Sequence, residues 1–278
     1  MINVRFIILN RDPYIFVCHR RLCMFDPLEL KNSVINFFNK RRHPGGGYTL
    51  YEGLPDSKNT FYAIRSFEVL DYEPPGLEET LDWLEDLHRG GTFATQGLFY
   101  RCSILRDYGM DFEIPEKFTE MLRRSYRKSN IEITYYMDSI LRMHGEYLDE
   151  IPEWVLSVQN EDGGFGVYGS DIINTRFAVE ILSSHGVKIE VDRVLGFTDS
   201  CFSDGAWNFT PISYPPYIET VHSGFRINEI LRGRAEDVTD FVMKIRNPDG
   251  GFRRSVYMGI SEPEYTYRAI YMLTRIHG

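Results

Sequence analysis

The sequence predicts an all-α fold, an α6/α6 toroid in which six helical hairpins close into a ring with an inner and an outer layer of helices. Three observations carry that expectation. A glycine-rich turn ending in an aromatic residue recurs along the chain. Amphipathic helical patterns flank the copies. The last copy keeps its full apolar pattern to the final residue, with no strongly polar cap, and a stack of hairpins whose end units need no cap is one that closes on itself.

The turns read HPGGGY, HRGGTF, NEDGGF, SDGAW and NPDGGF, and their aromatics are Tyr48, Phe93, Phe165, Trp207 and Phe252. Successive aromatics are 45, 72, 42 and 45 residues apart. The long interval is about two ordinary units, so one unit has lost its glycines; it falls near Tyr126–Gly145, where a helical pattern continues without a turn. The segments after the turns repeat one face: Thr60, Ala63 and Phe67; Thr175, Ala178 and Leu182; Thr266, Ala269 and Leu273. Offsets of three and seven place these residues along one side of a helix, and the small middle residue predicts close helix–helix approach. Amphipathic stretches such as LEETLDWLEDLH and AEDVTDFVMKI precede the turns. Three helices are expected to end at His144-Gly145, His185-Gly186 and His277-Gly278, with glycine taking the left-handed position and histidine facing the negative helix end.

Residues 25–278 are therefore read as a single toroid of six repeats. Residues 1–24 are read as an N-terminal extension, either two short strands around Asp12-Pro13 or a segment upstream of a start at Met24. Cys18, His19 and Cys23 lie close together but lack a second pair of metal ligands. Four cysteines in 278 residues are no disulfide framework and predict reduced thiols in a cytoplasmic protein. A net charge of −9 argues against a nucleic-acid surface. No apolar run is long enough to span a bilayer, which leaves peripheral contact as the way this chain would meet a membrane.

The stretch VLSVQNEDGGFG, with Gln159, Gly163, Gly164 and Phe165, resembles the glutamine–aromatic repeat of squalene and hopene cyclases. It is equally similar to the repeats of protein prenyltransferase beta subunits. The segment LFYRCSILRDYGMDFEIPEKF, from Leu98, resembles part of the plant-type terpene synthase accessory domains. The resemblance implies a toroid that handles isoprenoids. It does not carry over both chemistries. The Asp-x-Asp-Asp acid with which class II cyclases protonate an alkene is absent. Where prenyltransferases place the Asp-x-Cys of their zinc site, this chain offers Glu264-Tyr265-Thr266, and a threonine is a poor zinc ligand. Asp199, Cys201 and His222 form a weaker alternative zinc set, but Asp199 and Cys201 precede their turn and belong to the outer layer. The expectation is no resident cofactor and no zinc, with magnesium entering only alongside a diphosphate.

The resemblance also implies a basic diphosphate loop, which GGFRRS would supply through Arg253 and Arg254. An aromatic cavity is expected between the inner helices. Tyr62, Tyr136, Phe177, Tyr265 and Tyr267 are its candidate lining, drawn from a wider set that includes Phe99, Tyr100, Tyr135, Phe225 and Tyr271. Arg65, Arg101, Arg176, Arg226 and Arg268 put a guanidinium on five of the inner helices; paired with acids they would crosslink the ring, and unpaired they would favour an anionic ligand. Asp171, Glu219 and Glu264 are the candidate catalytic carboxylates, with helix capping as the alternative role. The function expected is a prenyltransferase- or terpene-cyclase-like protein that binds a prenyl diphosphate. Other readings are a non-catalytic toroid for hydrophobic ligands or proteins, and a carbohydrate-active toroid in which two carboxylates share acid/base work.

Overall fold

The protein is described by a computed structural model covering residues 26–278 except 88–93, 113, 115, 127–129 and 258. The strands expected around Asp12-Pro13, the start at Met24, the Cys18–Cys23 cluster and the turn ending in Phe93 lie outside the described residues. Within them the chain forms twelve helices in two alternating sets. The outer set is α1 (Pro27–Asn39), α3 (Leu77–Asp86), α5 (Glu116–Ser125), α7 (Glu150–Ser157), α9 (Val191–Ser200) and α11 (Thr239–Lys244). The inner set is α2 (Ser57–Val69), α4 (Thr95–Asp107), α6 (Ile131–Met143), α8 (Ile172–Ser184), α10 (Ile218–Arg232) and α12 (Pro263–His277). Each inner helix packs on the next, and α12 packs on α2, so the ring closes.

Side-chain oxygens begin several of these helices. Asp56 accepts a bond from the Asn59 amide at 2.8 Å, Asn130 from Ile133 at 2.8 Å, and Asp171 from Asn174 at 2.8 Å. The expected histidine–glycine ends are present: Gly145 and Gly186 take φ of +81° and +66°. The histidines do more than face a helix end. His185 meets the buried Asp138 of α6 at 2.7 Å, and His277 meets Thr239 of α11 at 2.8 Å.

The glycine turns hold the layers together. Phe165, Phe252, Tyr48 and Trp207 are all buried between inner and outer helices. The amide of Phe165 donates to Thr175 Oγ1 at 3.0 Å, that of Phe252 to Thr266 Oγ1 at 3.0 Å, and that of Tyr48 to Thr60 Oγ1 at 2.9 Å. The repeated threonine thus ties each of these three turns to its inner helix, and Ala63, Ala178 and Ala269 lie fully buried on the same face. Thr266 is an architectural residue in this series. Thr266→Val is expected to cost about 1–3 kcal/mol, because the buried Phe252 amide then has no acceptor; urea denaturation measures it, and Thr175→Val should behave alike.

Three of the described turns lean on the outer helix of the following unit. A Cβ on Gly163 would stand 2.3 Å from the Arg193 carbonyl oxygen of α9, and one on Gly250 would stand 2.3 Å from the Ser33 carbonyl oxygen of α1. The last turn therefore packs on the first helix as other turns pack on their successors. Arg246 secures that seam with two bonds to the Glu29 carboxylate, at 2.7 and 2.9 Å.

Two details depart from expectation. Strand was expected only in the first 25 residues, yet β1 (Phe202–Ser203) and β2 (Ala206–Trp207) pair as a short antiparallel ribbon. It is one glycine turn tightened into a hairpin around Asp204, which takes a positive φ, and Gly205. Arg101, expected beside the other inner-helix guanidiniums, stands where three other units carry Ala63, Ala178 and Ala269. Its Nε donates to the Leu84 carbonyl at 2.7 Å, so it points outward and caps the end of α3.

Candidate functional site: the central cavity

Neighbouring inner helices run in register, and residues one and two places after the repeated threonine face the centre of the ring. Phe61 meets Phe99, Phe99 meets Tyr135, and Tyr135 meets Phe177, with ring centroids 5.9, 5.9 and 5.0 Å apart. Tyr62 meets Tyr267 at 5.6 Å, which carries the aromatic wall across the seam. A cavity of about 400 Å³ lies inside this wall. That volume is within the range of small-molecule sites.

Charge gathers on the α8, α10 and α12 side of the lining. Arg176 of α8, Arg226 of α10, and Arg268 and Arg275 of α12 reach the cavity, against one lining carboxylate, Glu180. Each guanidinium is held. Arg176 bonds Glu180 at 2.9 Å and its guanidinium lies 3.7 Å from the Phe177 ring centre. Arg226 bonds Glu229 and donates to the Tyr271 hydroxyl at 2.6 Å. Arg275 lies 3.3 Å from Glu229. Arg65, nearer one rim, pairs with Glu68 and Asp107. These contacts crosslink adjacent inner helices, and they also hold several positive charges at fixed positions along one wall.

The deeper side of that wall is a buried chain across three helices. Arg268 bonds Glu264 at 2.6 Å through Nη2, Lys58 of α2 bonds Glu264 at 2.6 Å, and Arg268 Nη1 donates to His222 Nδ1 of α10 at 3.1 Å. A guanidinium can only donate, so Nδ1 is the acceptor and the His222 proton sits on Nε2. Burial, reinforced by Arg268, holds the His222 pKa well below its ordinary value, so the imidazole is neutral. Burial alone would raise the Glu264 carboxyl; Arg268 and Lys58 outweigh it and hold the pKa at about 2. Burial pushes the tyrosines upward, Tyr271 to about 12, and Tyr62 well above its usual value.

Of the residues singled out in the sequence, Tyr62, Tyr136, Phe177 and Tyr267 line the cavity, while Tyr265, Arg253 and Arg254 do not. Arg253 donates to the carbonyls of Lys244 and Val256, at 3.1 and 3.2 Å. Arg254 lies over the Tyr217 ring and bonds Glu219 at 2.8 Å. Asp171 caps α8, Glu264 is ionised in its chain of partners, and Glu219 stands in the first turn of α10 with a carboxyl that burial raises. Asp199 faces outward to Arg232, Cys201 is buried behind α9, and His222 is in the cavity wall, so the three do not converge. Among the described residues no group of three or more potential ligands could hold a metal ion. Phe61, Glu180 and Arg275 are lining residues that the sequence did not flag. Phe61 was legible in principle, since it directly follows the repeated Thr60.

The sequence matches the model of the Prenyltransferase alpha-alpha toroid domain over residues 14–207 and 220–277. No curated protein matches it. Among solved structures, a variant of the type II terpene cyclase MstE from Scytonema, in complex with its substrate geranylgeranyl dihydroxybenzoate, aligns with a TM-score of 0.57 at 10% identity, over 90% of this chain and 95% of that one. The apo form of MstE aligns with a TM-score of 0.56 at 9% identity, over 90% and 97% of the two chains. A protein from Actinoplanes aligns with a TM-score of 0.53 at 12% identity, over 90% and 99%. At such identities these likenesses concern the fold. With the domain match covering most of its length and the ring closed as described, this chain belongs to the Prenyltransferase alpha-alpha toroid domain family.

Proposed function

We propose that the protein binds an isoprenoid with an anionic head in its central cavity. The observation that carries this reading is a lining that combines a wall of aromatic rings with four guanidiniums against one carboxylate. Phe61, Phe99, Tyr135 and Phe177 offer ring faces to a branched, unsaturated chain. Arg176, Arg226, Arg268 and Arg275 lie on the α8, α10 and α12 side, each with a carboxylate partner, and their excess over Glu180, the one carboxylate in the lining, makes that side positive in a partly enclosed site, where a diphosphate is the favoured head. The geranylgeranyl compound bound by MstE lends support at the level of fold. Glu264 is already ionised by its partners and is no proton donor near neutral pH, and Asp171 is committed to its helix.

Calorimetric titration with farnesyl and geranylgeranyl diphosphate, beside the matching alcohols, tests it. The diphosphates are expected to bind at least about tenfold more tightly, since each charge-assisted bond contributes about 1.5–3 kcal/mol. Arg176→Gln with Arg226→Gln should remove most of that preference, and Arg253→Ala with Arg254→Ala should leave it. Equal affinity for diphosphate and alcohol would overturn the reading. The reverse pattern of variants would move the head to the last glycine turn.

A further inference from the structure

We infer that one end of the ring is a docking face for a phospholipid bilayer, with Arg254 placed to take a headgroup phosphate. The inference does not depend on what occupies the central cavity.

Large apolar side chains are exposed at corresponding places in the repeat. They stand on the loops that lead from a glycine turn into an inner helix: Leu54 before α2, Tyr168 before α8, Ile212 and Tyr214 before α10, and Tyr257 and Ile260 before α12. Leu54 is 86% exposed, Ile212 97%, and Tyr168 fully so. The inner helices run in register around the ring, so loops at their starts lie at one end of it. Helices α8, α10, α12 and α2 are successive neighbours, which makes the four loops one continuous arc. The Tyr214 and Tyr257 hydroxyls meet at 2.9 Å and join two of them.

The form of this arc favours a lipid surface. A folded partner requires a continuous, shape-matched patch. Here the apolar groups are tips on separate loops, and a flat, fluid partner can receive them all at once. Aliphatic tips mixed with tyrosine suit the boundary between acyl chains and water, where the ring is buried and the hydroxyl stays wet. Beside them, Phe209, Tyr214 and Tyr217 wall a cleft of about 360 Å³ that contains Arg254. The Arg254 Nε is used by Glu219 and the guanidinium lies over the Tyr217 ring, while its two terminal nitrogens make no hydrogen bond among the described residues. The cleft includes part of the 208–219 stretch that the domain match skips. A net charge of −9 opposes general attraction to anionic lipid, so the attachment is hydrophobic with one specific phosphate contact.

Co-sedimentation of the whole protein with phosphatidylcholine vesicles free of isoprenoid tests the inference. Binding is expected to persist when sodium chloride is raised to about 0.5 M, where the screening length falls to a few ångströms. Leu54→Asp, Tyr168→Asp and Ile212→Asp combined should weaken it more than tenfold without changing the circular dichroism, because these side chains are almost free of packing. Ile212→Ser alone should weaken it severalfold, and Arg254→Gln likewise. Absence of vesicle binding would overturn the inference, as would undiminished binding by the triple variant or binding that vanishes at high salt. A soluble dimer dispersed by the same triple variant, with no vesicle binding, would assign the face to a protein instead.

Discussion

Replacing Arg268 by methionine is expected to lower the unfolding free energy by about 3–5 kcal/mol, the cost of breaking a buried ion pair from one side. Arg268 is 9% exposed, and it is the link between Glu264 on its own helix and His222 on α10. Its loss leaves a buried carboxylate with Lys58 as remaining partner and returns His222 Nδ1 to an unsatisfied state. Changing Arg268 and Glu264 together to apolar residues should recover much of the loss, since neither charge is then stranded. Urea denaturation followed by far-ultraviolet circular dichroism measures both.

The same chain fixes a pH dependence. Glu264 titrates at about 2 in the folded protein against 4.5 for the free side chain. The stability it contributes, on the order of 3 kcal/mol, is present above about pH 4.5 and is lost as pH falls toward 2. His222 adds an earlier step of the same sign. Its folded pKa lies well below 6.5, so the unfolded chain binds the proton first and stability falls as pH drops below about 6.5. Burial raises the carboxyls of Glu219, Asp138 and Asp171, which act in the opposite sense: their protonation partly relieves the folded state on acidification. His222→Gln should flatten the dependence between about pH 6.5 and 5, because glutamine has no proton to gain there.

Gly250→Ala is expected to destabilise by about 2–4 kcal/mol through two separate costs. Gly250 has a φ of +90°, which strains any residue with a Cβ, and that Cβ would meet the Ser33 carbonyl at 2.3 Å. Backbone cannot swing aside as a flexible side chain can, so helix α1 would have to move. Gly196, exposed in the middle of α9 with nothing within 4 Å of an added Cβ, is the control. Gly196→Ala should stabilise by up to about 1 kcal/mol, as expected for a helical glycine under no constraint. Thermal and urea unfolding separate the two variants cleanly, because their shifts have opposite signs.

The fold was legible because the face that repeats is the face between the layers. Thr60, Thr175 and Thr266 bond the turn aromatics, and the alanines beside them allow close packing, so the same residue types recur wherever the same contact recurs. The cavity was harder to read because its positions have no such duty. One place after the threonine stand Phe61, Arg176 and Tyr267; two places after stand Tyr62, Phe177 and Arg268. Inner-helix position could be inferred from the repeat, and Tyr62, Tyr136, Phe177 and Tyr267 do face inward. Partnership could not be inferred. GGFRRS shows two charges, but not that Arg253 is spent on backbone carbonyls or that Arg254 lies over Tyr217. Glu180 and Arg275 give no local signal, since one lies two turns past the start of its helix and the other near a C-terminal end, and their facing depends on closure of the ring.

The seam joins residues far apart in the sequence: Arg246 and Glu29 are 217 positions distant. An open array of helical hairpins can unzip from either end, and its outer units fray first. A closed one has no outer unit, so the first and last hairpins each have a neighbour on both sides. That geometry raises the mean span of native contacts and with it the entropy to be overcome before the circle completes, which slows formation of the native state. It also ties the fate of the α1 edge to that of the α11 edge. Loss of either leaves two exposed flanks, one on each side of the gap, and the remaining hairpins must then tolerate both at once.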